Sequence, residues 1–456
     1  MVQRKLAQQI TNNWLVNYDN QKFYNQVQGF INLLQSTWQK STPPKILLAE
    51  DNPYLFLALF LACVILDYPV FLANPSWSVS EWQQVCQLIQ PSLLWDTHKQ
   101  QFIFSDFSEI PSNHFSGKIM IPTGGSSGQI RFAMHNWETL TASIQGFSQY
   151  FAQKTINSCC LLPLYHVSGL MQCLRSLVTG GKLLIFPYSD LKNDHIPSFS
   201  PQDYFLSLVP TQLQFLLASN PLWLSQFKTI LLGGAPSWTS LLNQARQEGI
   251  PLALTYGMTE TAALIVALKP EQFLQGNDTM GQVLPHAQVE ILTEQGEILD
   301  YGQTGIIGIK ASSLCLGYYP DTFSQDVLFW SNDLGSLNAE GYLTILGRRN
   351  RLIITGGEKV CAEEVEKVIK DTGLVDDVCV VGLPHSYWGE VVVAVYVSFT
   401  SNPTDQAITE KMSGKLSKFK LPKHWLQIDK IPRNSQGKIN YLQVQQWVVT
   451  QLGVVY

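Results

Sequence analysis

At 456 residues the chain is longer than one hydrophobic core usually supports, so two or more packed units are expected. It is 45% hydrophobic and 11% aromatic but only 14% charged, against roughly 25% in an average soluble protein, a globular rather than disordered composition. A formal net charge of −5 without a long basic run argues against nucleic acid as a main partner.

The opening "MVQRKLAQQITNNWLV" has no apolar run of the signal-peptide kind, so secretion is not expected. "KILLAE" (Lys45–Glu50) reads as a strand. The most membrane-like stretch is "PYLFLALFLACVILDYPVFLA", Pro53 to Ala73. Its uninterrupted part stops at Asp67 and Pro69 follows, short of the roughly 20 apolar residues of a span. It reads as a buried helix ending near Asp67, then a strand at Val70–Leu72. Helical patterns over Pro75–Leu88 and Glu138–Phe151 alternate with the strand-like runs "KLLIF" (Lys182–Phe186), "SLVP" (Ser207–Pro210) and "TILLGG" (Thr229–Gly234). Such alternation predicts parallel sheet covered by helices, an α/β fold.

From about Gly281 the strands shorten and turns multiply, as in "QVEILTEQGEIL". The last hundred residues look self-contained: Val365, Val368 and Ile369 mark a helix face, and "VCVVG" and "VVVAVYVS" read as strands. The pattern puts a boundary near Arg349–Arg351, giving a large N-terminal domain (1–349) of helix-covered sheets and a small α+β C-terminal domain (350–456). The eight cysteines are scattered without a C-x-x-C spacing, so structural zinc is not expected and a reducing, cytoplasmic setting fits. The composition sets no oligomeric state and is compatible with a homo-oligomer.

"TGGSSGQIRF" (Thr123–Phe132) carries two chemistries. Gly124-x-Ser126-x-Gly128 matches a nucleophile elbow, which needs a strand, a sharp turn and an immediate helix. Here "KIMIP" reads as the strand, but "QIRFAMH" alternates with Ile130, Phe132 and Met134 on one side and reads as a second strand. The turn is then a hairpin loop rich in N–H and hydroxyl donors, able to wrap an anion. It is not a Walker loop, because no Gly-Lys-Ser/Thr occurs. Taken alone, a flexible Ser/Gly turn accounts for it equally well.

Three later stretches change that balance. "LTYGMTETAA" (Leu254–Ala263) places Thr259 and Glu260 after a strand and a glycine turn. "FWSNDLGSLNAEGYLTILGRR" (Phe329–Arg349) contains Asp333 and Arg348, and "IPRNSQGKINY" (Ile431–Tyr441) presents Lys438 on a turn. Each alone is weak; a Thr-Glu pair is usually surface, and a Gly-Lys turn is usually a hairpin tip. Their order resembles the acyl-adenylate-forming enzymes, which comprise acyl- and aryl-CoA ligases, luciferases and peptide-synthetase adenylation domains. The resemblance runs from the apolar helix near Leu55 to Lys438.

That resemblance implies a mobile C-terminal domain, with ATP, Mg2+ and coenzyme A as cofactor and co-substrates. It matches Thr123, Gly124, Gly125, Ser126, Ser127 and Gly128 to the phosphate-binding loop, with Arg131 behind them. Gly233, Gly234 and Ala235, before Pro236, match the adenine-side turn, and Thr255, Tyr256, Gly257 and Met258 extend that wall. Thr259 would contact phosphate and Glu260 would hold magnesium. Asp333 would bind the ribose hydroxyls with Arg348 beside it, and Lys438 would bridge the acyl carboxylate and the α-phosphate. Arg349-Asn350 falls at the hinge.

The chain departs from the pattern in three places. Ile130-Arg131 replaces the usual Pro-Lys, the hinge carries uncharged Asn350, and His385 replaces an Asp in "GLPHSYWGE". "LPLYHVSGLMQ" (Leu162–Gln172), "SLVPTQL" (Ser207–Leu213) and "LLGGAPS" resemble the o-succinylbenzoate–CoA ligases of menaquinone and phylloquinone synthesis. This implies a pocket role for His166, with Ser168, Gly169 and Thr211 as weaker members, although His166 also suits a buried core position. Another aryl- or acyl-CoA ligase, a non-catalytic adenylate-binding relative and, remotely, a serine hydrolase are the alternatives. No carrier-domain serine motif follows Lys438, which disfavours a peptide-synthetase module.

Overall fold

The stretch that most resembles a membrane span folds into a helix, Pro53–Ile65, whose residues Phe56 to Cys63 are all buried. Asn52 caps it by accepting from the N–H groups of Tyr54 and Leu55, and Pro53 takes the first turn, where no N–H is needed. Asp67, at φ +60°, turns the chain into the buried strand Val70–Leu72. The structure, a computed structural model, describes residues 2–104, 115–124, 129–193, 195–324, 326, 328–385, 387–399, 403–433 and 438–453. Among these no helix is long and apolar enough to cross a membrane.

The described residues form four sheets. The first has a parallel centre of Ile46–Leu48, Val70–Leu72, Leu93–Asp96 and Ile119–Gly124. The second has a parallel centre of Asn157–Cys160, Leu183–Ile185, Tyr204–Leu208, Thr229–Leu232 and Leu252–Met258. Strands covered on both faces read as short, unbroken apolar runs, which is why they are visible in the sequence. One continuous core, including the helices Pro53–Ile65, Trp137–Tyr150 and Val167–Thr179, joins both sheets.

A four-stranded antiparallel sheet follows, ending in Phe329–Leu337 and Leu343–Arg348. One 3-10 turn, Arg349–Arg351, buries none of its residues and leads into the last sheet. There Val375–His385 pairs with Gly389–Ser398 over its whole length. Alternate residues face opposite sides. Val378, Val380 and Val392 pack on the helix Ala362–Lys370, while Cys379, Val381 and Val393 pack on the helix Tyr441–Leu452.

Two element boundaries differ most from the sequence pattern. The helix expected from Pro75 starts at Val79, because Ser78 and Glu81 form a reciprocal capping box that fixes the first turn. The strand expected at Ser207–Pro210 runs instead over Tyr204–Leu208, and Pro210 becomes the first residue of a helix, where its fixed φ is preorganised.

Ile119–Gly124 and Ile130–His135 form an antiparallel hairpin with Thr123 opposite Arg131. A strand therefore follows the glycine-rich turn where a nucleophile elbow would need a helix. The second strand ends at His135, fully buried. Its Nε2 lies 2.8 Å from the carbonyl oxygen of Thr259 and its Nδ1 lies 3.0 Å from the Thr139 hydroxyl. A carbonyl can only accept, so Nε2 carries the proton and donates.

Burial lowers the His135 pKa to about 4, below the unfolded value near 6.5. Folding thus favours the neutral ring. The resulting stability is complete above about pH 6.5 and is lost as pH falls towards 4, amounting to roughly 3 kcal/mol. The urea midpoint of the wild type is expected to drop between pH 7.5 and 5, and that of His135→Gln to drop less. An equal drop in both would remove His135 as the source.

Candidate active site

The site lies at the carboxyl ends of the second sheet's parallel strands, where open α/β sheets bind ligands. Thr229–Leu232 runs out into Gly233, Gly234 and Ala235. A Cβ on Gly233 would stand 2.4 Å from the Thr255 hydroxyl, and Gly234 sits at φ +80°. Glycine therefore lets this turn lie against the next strand. That strand, Leu252–Met258, carries Thr255, Tyr256, Gly257 and Met258, and Gly257 presses against Ala263, whose carbonyl oxygen a Cβ would meet at 2.1 Å.

Glu260 follows in the short 3-10 turn Thr259–Thr261 and is buried. The Tyr318 hydroxyl donates to its Oε1 at 2.6 Å, while the N–H of Cys315 donates to its backbone oxygen at 2.7 Å. The guanidinium of Arg131 stacks 4.1 Å from the Tyr318 ring centroid. Burial, then the Glu260 charge, raises the Tyr318 pKa, so the phenol stays a donor. Arg131, Tyr318 and Glu260 form one file from the hairpin to the turn. Gly125, Ser126, Ser127 and Gly128 lie outside the described residues.

Asp333 and Arg348 are cross-strand partners in the third sheet. The buried Asp333 accepts from the Tyr256 hydroxyl at 2.8 Å and pairs with Arg348 Nε at 3.3 Å. Burial and the Asp333 charge raise the Tyr256 pKa well above its ordinary value, keeping that donor protonated. Asp333 is thereby aimed along the wall that Tyr256 shares.

Lys438 comes from the last sheet's body. It keeps solvent contact, yet crowding by surrounding atoms lowers its pKa; Arg348 adds to that effect, while Glu260 and Asp333 oppose it. Its charge also reaches His166, whose pKa falls to about 4, mostly through burial. Contacts between the bodies accompany this placement. The N–H of Ser240 donates to Asp371 at 3.0 Å, Lys370 stands 4.7 Å over Trp238, and the Cys361 thiol donates to the Leu346 carbonyl at 2.9 Å. Arg351 pairs with Glu363 at 2.9 Å and Glu366 at 2.7 Å, and lies 3.9 Å from the Tyr441 ring centroid. The uncharged Asn350 sits exposed in the connecting turn.

The helix Val167–Thr179 begins beside His166. Ser168, Gln172 and Arg175, at i, i+4 and i+7, share a stripe of it. Gly169 is buried against Pro163, whose carbonyl oxygen a Cβ would meet at 2.2 Å; it permits close packing and offers no side chain. Thr211 is exposed in the first turn of Pro210–Ser219, at the end of the strand beside Gly233.

Arg175 was not singled out by its sequence context. It is buried, stacks 4.2 Å from the Phe147 ring centroid, and leaves its Nε without a partner, as does the side-chain oxygen of Gln172. Among the described residues no carboxylate pairs with it. Burial lowers its pKa to about 9, so it remains charged at neutral pH. The signal was present as polar residues at helical spacing inside an otherwise apolar helix. Tyr318, 58 residues from Glu260, gave no such local signal.

Residues 117–319 match the AMP-binding enzyme family and residues 364–438 match the AMP-binding enzyme C-terminal domain. The 2-succinylbenzoate–CoA ligase of Enterococcus faecalis is 33% identical over 349 residues, 75% of this chain and 72% of that protein. The ligase of the same name from Oceanobacillus iheyensis is 32% identical over 82% of this chain and 78% of its own length. Among solved structures, the o-succinylbenzoate CoA synthetase of Bacillus subtilis with the acyl-adenylate OSB-AMP shares the fold. The TM-score is 0.83, at 23% identity over 97% of each chain. Family match, relatives and site geometry agree: the chain belongs to the AMP-binding enzymes.

Proposed function

We propose that the chain is an ATP-dependent acid–thiol ligase that activates 2-succinylbenzoate as its acyl-adenylate and transfers it to coenzyme A, in menaquinone biosynthesis. The observation that carries the chemistry is the meeting of Lys438 and Arg348 with Glu260 and Asp333 at one point, contributed by two separate bodies. The relatives named as 2-succinylbenzoate–CoA ligases support the acid. So does Arg175, a buried cation with no carboxylate partner among the described residues, which suits an acid bearing a second carboxylate. The eight cysteines, all without disulfides, suit a reducing cytoplasmic compartment.

In the first half-reaction a carboxylate oxygen attacks the α-phosphorus of ATP and the bond to pyrophosphate breaks. Two anions approach and charge builds on the phosphoryl oxygens, so preorganised cations and donors aimed there lower the barrier. Lys438 supplies the movable ammonium, Arg131 supplies a second cation on the phosphate side, and the N–H and hydroxyl groups of the Thr123–Gly128 sequence are the phosphate donors this reading calls for. Asp333 retains acceptor capacity for the ribose hydroxyls beyond its bonds to Tyr256 and Arg348. Thr259 stands at the phosphate end of the strand that carries Tyr256, and Gly233–Ala235 flank the base.

Glu260 fits Mg2+. It offers one buried hard-oxygen ligand, the contribution this ion takes from protein when phosphates and water complete its shell. Bound there, the ion neutralises phosphate charge and polarises the phosphoryl group. In the second half-reaction the coenzyme A sulfur attacks the acyl carbon, AMP leaves, and the thiol proton is released. Lys438 is withdrawn by turning about Arg349–Arg351. Among the described residues the contacts that join the bodies include those at Trp238 and Ser240, which such an exchange would break.

Thioester formation from a panel of carboxylic acids with ATP and coenzyme A tests the reading. 2-Succinylbenzoate is expected to rank first, and a benzoate or fatty acid above it would overturn the substrate. Arg175→Lys should erase much of the preference for 2-succinylbenzoate over 4-oxo-4-phenylbutanoate, which lacks the ring carboxylate, because a lysine cannot keep the planar stack on Phe147.

Lys438→Ala should separate the half-reactions. Adenylation is expected to fall roughly a hundred- to a thousandfold. Transfer from purified acyl-adenylate to coenzyme A should stay within several-fold of wild type; equal losses would assign Lys438 to structure. Glu260→Gln should raise the Mg2+ concentration needed for half-maximal acid-dependent ATP–pyrophosphate exchange. A wild-type titration would remove the magnesium role.

A further inference from the structure

The imidazole of His286 is a second orphan beside Arg175: among the described residues neither Nδ1 nor Nε2 has a hydrogen-bond partner, and both atoms are shielded from solvent. The ring lies against the helix Trp137–Tyr150 at Gly146, where a Cβ would stand 1.8 Å from Nδ1. Arg175 stacks on the next residue of that helix, Phe147, so the two side chains pack over adjacent positions. The guanidinium charge reaches the ring. The His286 main chain is fixed independently: its carbonyl accepts from the N–H of Ser312 at 3.0 Å and from the Ser312 hydroxyl at 3.3 Å. The backbone is thus tied down while the ring is left unpaired in a space that only glycine at 146 leaves open. Two shielded ring nitrogens and a guanidinium Nε, all unsatisfied and clustered, are costly unless a ligand supplies partners.

Resting on the acid reading above, we propose that His286 is a specificity-determining residue: its neutral ring donates one N–H to the acid's non-reacting carboxylate beside Arg175. A neutral donor suits this position. Arg175 already balances the anion, and a second cation beside it would be repelled. Burial and the Arg175 charge hold His286 at about 4, so the ring offers one donor and one acceptor at neutral pH. The Gly146–His286 contact fixes where the ring can stand, and hence which length of acid it reads.

The test is steady-state kinetics on the full-length enzyme with 2-succinylbenzoate and 4-oxo-4-phenylbutanoate, comparing His286→Phe, His286→Gln and Gly146→Ala. His286→Phe is expected to raise KM for 2-succinylbenzoate about tenfold or more, the range for losing a hydrogen bond to a charged group. It should raise KM for 4-oxo-4-phenylbutanoate less than threefold. His286→Gln, a neutral donor, should recover part of the loss, and Gly146→Ala, which displaces the ring, should reproduce it. An equal rise with both acids, or none with either, overturns the role of His286. If Arg175→Lys keeps the preference for 2-succinylbenzoate, the acid reading fails; if Arg175→Lys abolishes that preference while His286→Phe keeps it, only this inference fails.

Discussion

Bringing a carboxylate against a phosphate demands positive charge at a point that water would otherwise screen, and that charge must be removable. On the proposed reading, the chain would meet the demand with a cation that its N-terminal body does not itself carry. Lys438 enters from a separate body into the field of Glu260 and Asp333, beside Arg348. A permanently buried lysine would either lose its proton or block the thiol that follows. A lysine carried on a separate body stays protonated in solvent and would bring its charge to the site only while that body is docked. The rest of the site holds its acidic partners rigid: Tyr318 and Cys315 on Glu260, Tyr256 and Arg348 on Asp333, His135 on the Thr259 carbonyl.

These supports share a chemistry. Each phenol, buried at Tyr256 and half-buried at Tyr318, lies beside a carboxylate, which keeps the hydroxyl protonated and donating. The carboxylate is positioned without being neutralised, as a ligand for cations or hydroxyl groups must be. Arg131 stacks on Tyr318 in the Ile130-Arg131 pair, where the sequence resemblance leads one to expect Pro-Lys. Anchoring on an aromatic face supplies the order that a proline would have imposed through the backbone.

Much of this architecture was legible in the sequence because it is written in local terms. Buried parallel strands leave unbroken apolar runs, and the alternation of Ile130, Phe132 and Met134 separates a hairpin from a nucleophile elbow. The spacing of Thr259-Glu260, Asp333 and Lys438 marks the chemistry in chain order. The remainder depends on contacts that no window contains. Tyr318 reaches Glu260 across the first sheet, and His286 meets Gly146 from a turn between short strands. Arg175 looks like one more polar helix residue until burial and the lack of a carboxylate beside it give it meaning. Capping chemistry at Ser78 and Pro210 moved two element boundaries, because a cap competes with hydrophobic pattern for where a helix begins.

Arg351 has a mechanical consequence. It is the last residue of the connecting turn, yet it is clamped by Glu363, Glu366 and Tyr441, all in the C-terminal body, and Tyr441 lies three residues beyond Lys438. The turn therefore ends in a rigid strut that runs to the lysine's own segment. In the proposed domain turn, freedom to pivot would fall to the residues just before the clamp, and a small torsional change there would be amplified along the strut into a large sweep of the ammonium. Slack introduced beyond Arg351 would disengage that linkage without touching a single group that meets substrate.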